Sequence, residues 1–336
     1  MTHTSTNSAS QCYYWEADHL FAIQAAIEVG RPLLVRGEPG IGKSTLARAA
    51  AERLGRYFVS EVVTARTEPN DLLWQFDGVK RLADAQLKCT AGGNKITLDK
   101  RDYIAPGALW WVFQPEWAKA QHSICPGSCC PSFDDMKDII AAQLDEHTGL
   151  PKKNTSGNET TSENGKNGWV LLIDEIDKAD SDVPNSLLEA FAENEFAVPH
   201  FAEPVCRAGG AGQSCNASKP LVVITTNEDR ELPAAFLRRC FVLNMEFPKD
   251  EDAPEWLLAR AEKHGLSVSS DILVKIAKLL LKERREKNGI HCPGLGEYLD
   301  FAYAFEHMRQ NLPKLSDEDL LKKISSFALK KNARNV

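Results

Sequence analysis

Apolar positions recur at helical spacing from Asp18 to Val29, where Leu20, Phe21, Ile23, Ala26 and Ile27 follow the pattern. Gly30, Arg31 and Pro32 then close the segment with a glycine cap and a proline just beyond it. Residues 1 to 11 before it are rich in Ser, Thr and Asn without periodicity, so the first twelve residues are expected to form a disordered tail. Leu33-Leu34-Val35 is a short apolar run that passes through a glycine-rich stretch into an alanine-rich helical segment ending at Gly55, the order strand, loop, helix. Tyr57 to Val63 predicts a second strand. Trp169 to Ile173 and Leu221 to Ile224 are continuous apolar runs with no polar alternation, the signature of strands covered on both faces of a parallel sheet, and Phe241 to Phe247 adds a fifth strand. After Pro248 the strands stop, and residues 253 to 331 carry helical periodicity, as in Ile272, Leu273, Ile276, Leu279 and Leu280.

Two stretches interrupt this pattern. Residues 71 to 113 read as a mixed region with a turn signal at Ala91-Gly92-Gly93-Asn94. Residues 121 to 168 open with a Cys/Pro/Gly cluster, continue in a predicted helix from Phe133 to His147, and end in 152 to 168, where no apolar side chain occurs; this last piece is expected to be a disordered insertion. A chain of 336 residues suggests two domains on a prior of roughly 150 residues each. The boundaries expected are a core over 13–248 and an all-helical domain over 249–336. No apolar run approaches the roughly 18 residues of a membrane span. The net charge of −7 argues against a protein held to nucleic acid by its overall field and favours protein partners. Nine cysteines, an odd count, together with an N-terminus lacking a basic and apolar leader, point to free thiols and a cytoplasmic location.

Candidate chemistry sits at the ends of the predicted strands. Gly37-Glu38-Pro39-Gly40-Ile41-Gly42-Lys43-Ser44, followed by Thr45, fits G-x-x-x-x-G-K-[ST] between a strand and a helix, the context that this motif requires. Glycines let successive N–H groups turn inward around phosphate oxygens, the helix beginning near Lys43 offers its positive end, and the Lys43 ammonium reaches terminal phosphates. Ser44 is the hydroxyl suited to a Mg²⁺ ion. The strand VLLID aims Asp174 and Glu175 at the carboxyl edge of the sheet, with Asp174 suited to Mg²⁺ and Glu175 to orienting a water for in-line attack on phosphorus. Asp177, two residues on, reads either as a helix cap or interface charge or as part of the site. Thr226 and Asn227 end a neighbouring strand, where an Asn can hydrogen-bond both water and phosphate. Arg238 and Arg239 precede the last strand; paired arginines there are either a solvated face or the source of charge neutralisation on a transferring phosphoryl group.

These motifs in this order, followed by a helical segment, resemble the AAA+ ATPases and within them the MoxR group. The likeness is carried by GRPLLVRGEPGIGKS, VTARTEPNDLLWQFDGVKRLADAQ, VLLIDEIDKADSDVPNSLLEAFAENEFAVPHF, LVVITTNEDRELPAAFLRRC and PGLGEYLDF, over about residues 13 to 310. The resemblance implies a P-loop NTPase fold, a three-layer αβα core with a parallel five-stranded sheet, followed by a small helical lid. It implies ATP and Mg²⁺ as ligands, hydrolysis between subunits of a homohexameric ring, Asn227 as the sensor of the γ-phosphate, Arg239 with Arg238 as a finger acting on the neighbouring subunit, and Tyr13 to Leu20 near the adenine. It also implies a helix-2 insert within 71–110, a hairpin within 196–220, and a von Willebrand factor A domain protein as partner in remodelling or maturing a protein client. A nucleotide-gated scaffold with little hydrolysis and a nucleic-acid-directed motor are the rival functions.

Two features depart from the family pattern. No arginine lies in Pro293 to Asp300, where many relatives carry a second sensor at the start of a lid helix, so Arg284 or Arg285 would have to substitute or lid closure would be weaker. His122, Cys125, Cys129 and Cys130, with Cys206 and Cys215, offer donors for zinc, but their spacing matches no common tetrahedral pattern.

Overall fold

The computed structural model describes residues 12–90, 98–145, 147–151, 168–207, 219–249, 251–286, 292–312 and 314–329. The tail expected before residue 12, the 91–94 turn, the insertion at 152–167 and Cys215 lie outside the described residues. The chain forms two compact units, one of residues 1–20, 35–52 and 243–336, the other of 21–34 and 53–242.

In chain order the strands are β1 (Leu33–Gly37), β2 (Tyr57–Val62), β3 (Trp74–Phe76), β4 (Ile104–Pro106), β5 (Trp169–Asp174), β6 (Glu195–Phe196), β7 (Val205–Cys206), β8 (Leu221–Thr226) and β9 (Phe241–Met245). Five of them form a parallel sheet in the order β2-β5-β8-β1-β9, the core expected from the apolar runs. Tyr57 to Val62 stand opposite Trp169 to Asp174 in parallel register, and Val170 to Ile173 opposite Leu221 to Ile224. Every residue of β8 is buried, including Thr225 and Thr226, and each buried aliphatic side chain contributes about 1.5–3 kcal/mol.

The second unit also holds the mixed region. There β3 and β4 pair antiparallel, Trp74 opposite Pro106. Over the whole chain as far as residue 237 the helices are α1 (Ala17–Val29), α2 (Lys43–Leu54), α3 (Gly78–Thr90), α4 (Ala108–Phe113), α5 (Pro115–Ile124), α6 (Phe133–Asp138), α7 (Asp182–Glu193) and α8 (Ala234–Leu237), of which α3 to α8 lie in the second unit. All six residues of α4 are buried, and Trp110, Trp117 and Phe201 meet edge to face. Between 196 and 220, β6 and β7 form a short antiparallel pair with Phe196 opposite Val205.

One predicted helix is shorter than expected. The segment read as helical from Phe133 to His147 stops at Asp138, where the Lys119 ammonium takes the carbonyls of Met136 and Ile139. Beyond it the Asp145 carboxylate accepts the N–H groups of His147 and Thr148 and the Thr148 hydroxyl, a local turn that outcompetes helix formation.

In the first unit, α9 (Ala253–Lys263), α10 (Ser270–Glu286), α11 (Leu295–Asn311) and α12 (Asp317–Ala328) pack around Leu257, Ile276, Leu280, Tyr298, Phe301 and Leu320. The periodic residues Ile272, Leu273, Ile276 and Leu280 face this core, and Tyr298, Phe301 and Phe305 are packing residues of the same core. Among the described residues no helix is long and apolar enough to cross a membrane.

Candidate functional site

The loop from Gly37 to Gly42 owes its shape to three glycines with positive φ, Gly37 at +150°, Gly40 at +76° and Gly42 at +104°. A Cβ on Gly37 would stand 2.2 Å from the Met245 carbonyl oxygen, so the close approach of these two backbones needs glycine. Ile41 is buried and anchors the loop, whereas Glu38, Pro39 and Gly40 are exposed. Lys43, the first residue of α2, is buried, and its ammonium folds back to donate to the carbonyls of Gly37 at 2.7 Å and Glu38 at 3.0 Å. Ser44 is half-buried and Thr45 exposed in the first turn of α2, which carries no acidic side chain, so the positive end of this helix is left for an anion.

Further residues of the same unit surround this loop. The Gly40 carbonyl accepts the N–H of Gly296 in the first turn of α11 at 3.1 Å. The Glu38 carboxylate pairs at 2.7 Å with Arg284, which also donates to the Pro293 carbonyl at 3.1 Å and lies over the Phe247 ring. Of the two arginines considered as substitutes for the missing one in 293–300, Arg284 reaches the loop through Glu38. Tyr13 packs beside Gly42 and contacts His19 at 3.3 Å. Burial holds the His19 imidazole below the usual histidine range. Arg260, paired with Glu16, lies over the rings of Trp256 and Tyr14.

The carboxylates belong to the second unit. β5 ends at Asp174, and Glu175 follows with φ of +60°, a left-handed conformation uncommon for a non-glycine residue. It is held there by the Thr225 hydroxyl, which accepts the Glu175 N–H at 2.9 Å and donates to Asp174 Oδ1. Asn227 Nδ2 donates to Glu175 Oε1 at 3.3 Å, and the Lys178 ammonium bonds Oε2 at 2.5 Å. That bond holds Lys178 above the usual lysine range. Asp174, Glu175 and Asn227 are therefore brought together, joined by two residues the sequence did not single out, Thr225 and Lys178.

Asp177 corrects one reading of the sequence. It is not a cap or an interface charge: it is buried, and its Oδ2 accepts the backbone N–H groups of Asn227 at 3.2 Å and Asp229 at 2.9 Å. Arg238 and Arg239, at the end of α8, are both exposed, and Arg239 donates to the Ala235 carbonyl of its own helix.

The described members of the cysteine cluster do not assemble as a metal centre. Among the described residues no group of three or more His, Cys, Asp or Glu side chains is placed to hold a metal ion. His122 accepts the Gly127 N–H and packs on Trp111, while burial and the neighbouring Glu61 push the Cys129 thiol far above the thiolate range that a zinc ligand needs. Cys206 rises to about 11 through burial and its bond to Glu195. The Ser44 hydroxyl and the Asp174 carboxylate are each hard oxygen donors of the kind that a magnesium ion takes.

Comparison with known proteins adds the following. The model of the AAA domain, dynein-related subfamily, matches residues 32–101 and 137–240. No curated protein matches the chain. Among solved structures, a proline-to-glycine mutant of RuvB from Thermotoga maritima is similar at a TM-score of 0.43 and 14% identity, over 92% of this chain and 67% of that one.

Proposed function

We propose, for a chain that belongs to the AAA domain family in its dynein-related subfamily, that it is a MoxR-type ATPase. It hydrolyses ATP at the subunit interfaces of a homohexameric ring and uses the cycle to remodel or mature a protein client, with a von Willebrand factor A domain protein as partner. The observation that supports the hydrolytic part of this reading is the Glu175 carboxylate, fixed in a left-handed turn after β5 and held by the amide of Asn227; the MoxR type, the ring and the partner rest on the resemblance of the motifs. A base so placed, beside an Asp and an Asn at strand ends, is what in-line attack of water on a phosphoryl group requires.

In this mechanism the glycine loop and the N-terminus of α2 bind the phosphates, and the Lys43 ammonium exchanges its loop carbonyls for phosphate oxygens. Ser44 and Asp174 are the residues that would hold Mg²⁺, which would supply positive charge against the phosphate oxygens. Glu175 orients the attacking water and takes its proton on the carboxylate; Asn227 keeps that carboxylate in line. Arg239 of the next subunit, with Arg238 beside it, neutralises charge that develops on the transferring group.

Mutation at the two motifs tests this directly. Lys43→Ala is expected to lose nucleotide binding, and Glu175→Gln to bind ATP but turn over about 10²–10⁴ times more slowly. Phosphate release and nucleotide binding measured on the same preparations decide the matter, and wild-type turnover in Glu175→Gln removes the assignment of Glu175. The ion pair between Lys178 and Glu175 favours one second reading, a nucleotide-gated scaffold whose base is held back until a partner frees it. Partner-stimulated phosphate release separates that scaffold from a steady motor.

A further inference from the structure

Asp177 lies in the single 3-10 turn Ile176–Lys178 that follows Glu175, yet it caps neither this turn, whose N-cap is Glu175, nor α7, whose N-cap is Ser181. Its hydrogen bonds go instead to a loop fifty residues away. One oxygen, Oδ2, accepts both the Asn227 and the Asp229 N–H. Between those two residues Glu228 has φ of +62°, and its N–H is taken by the Thr226 hydroxyl at 2.9 Å. Of these three successive backbone N–H groups, the first and third go to one carboxylate oxygen of Asp177 and the second to a hydroxyl. Asp177 is 1% exposed, and its other oxygen, Oδ1, has no hydrogen-bond partner among the described residues. Burying a carboxylate is costly unless hydrogen bonds compensate it, and both of these bonds come from the loop after β8.

What they define is the position of Asn227. The loop is pinned at this residue and again two residues on, and the Asn227 side chain then meets Glu175 Oε1. From this we infer that Asp177 is a positioning residue: through two backbone N–H groups it sets the Asn227 amide against the Glu175 carboxylate, so that the loop after β5 and the loop after β8 hold one geometry. The inference rests on the assignment of Glu175 and Asn227 made above. It also states what matters at position 177, an acceptor oxygen at the reach of an Asp side chain and not a negative charge as such.

Three substitutions in the full-length chain separate these terms. Asp177→Ala removes the acceptor; it is expected to lower kcat about 100-fold, the cost of misplacing a reacting group by about an ångström, with the KM for ATP changed less than about threefold. Asp177→Asn keeps an acceptor oxygen at the same reach and is expected to recover most of that turnover. Asp177→Glu keeps the charge but moves the oxygen by one methylene, and it is expected to fall with Asp177→Ala. The effect should not add to that of Asn227→Ala: the double variant is expected to be no slower than Asn227→Ala alone. Amide hydrogen exchange of the nucleotide-free protein supplies a readout independent of turnover, with Asn227 and Asp229 exchanging faster in Asp177→Ala and Asp177→Glu than in the wild type or Asp177→Asn.

Turnover kept by Asp177→Glu and lost in Asp177→Asn, multiplicative effects in the double variant, or unchanged exchange at Asn227 and Asp229 would each overturn the positioning role. If Asp177→Ala does not fold, the contrast between Asn and Glu at the same position carries the test alone. A wild-type chain that binds ATP but releases no phosphate, alone or with a partner, overturns the assignment of Glu175 instead, and the exchange measurement still reports on Asp177.

Discussion

At the scale of single residues, the informative positions are polar groups inside apolar strands. Thr225 is fully buried in β8, and its hydroxyl both donates to Asp174 Oδ1 and accepts the Glu175 N–H. Thr225→Val keeps the volume and removes both bonds, leaving a buried N–H and a carboxylate oxygen each short of one partner. Since an unmade buried hydrogen bond costs about 1–3 kcal/mol, the variant is expected to lose roughly that much stability, seen as a lower Tm in thermal unfolding, and to lose turnover more than ATP affinity. Retention of both Tm and turnover would show that the hydroxyl holds nothing that matters. The glycine loop, Lys43, Asp174 and Glu175 were legible in the sequence because their chemistry is local to one strand end. Thr225 and the role of Asp177 were not, because their partners lie about fifty residues away and only the register of β5 with β8 brings them together.

At the scale of elements, strands and helices followed the hydrophobic pattern wherever burial decided the outcome, as in β5, β8 and α10. The pattern overshot where side chains competed for the backbone: the helix expected to reach His147 yields at Asp138 to Lys119 and then to Asp145. The junction of β1 with its loop shows the opposite case, an element that depends on one missing side chain. Gly37→Ala would need the Met245 carbonyl at the end of β9 to move, since 2.2 Å is far inside contact distance and φ of +150° is itself unfavourable for alanine. It is expected to abolish nucleotide binding and lower Tm by several degrees. Gly55, at φ +60° with nothing within 4 Å of its Cβ direction, is the control: Gly55→Asn is expected to cost under about 1 kcal/mol, with binding intact. Equal loss in the two variants would assign the effect to backbone angle alone and not to the close approach of Gly37 and Met245.

At the scale of the whole molecule, the pattern of apolar positions says where a core lies but carries no signature of how exposed surfaces meet other chains. The paired arginines illustrate this. Arg238 and Arg239 are exposed at the end of α8, and the Arg239 guanidinium bonds a carbonyl of its own helix, while Glu175 is engaged by Asn227 and Lys178. As a finger of the kind the resemblance implies, Arg239 would be accepted by a second copy of the chain. If it acts on the neighbouring subunit, Arg239→Ala is expected to bind ATP normally and to lose about 10³-fold or more in turnover, the usual worth of such an arginine. Glu175→Gln is inactive for a different reason, and the two defects lie on opposite sides of each interface. In an equal mixture, about one interface in four pairs an intact Glu175 with an intact Arg239, so mixed assemblies are expected to recover up to about a quarter of wild-type turnover. An arginine acting within its own chain predicts none, because every chain then carries a defective site. Phosphate release from assemblies whose mixed composition has been verified by mass spectrometry distinguishes the two, and absence of recovery would remove Arg239 as a finger donated between subunits.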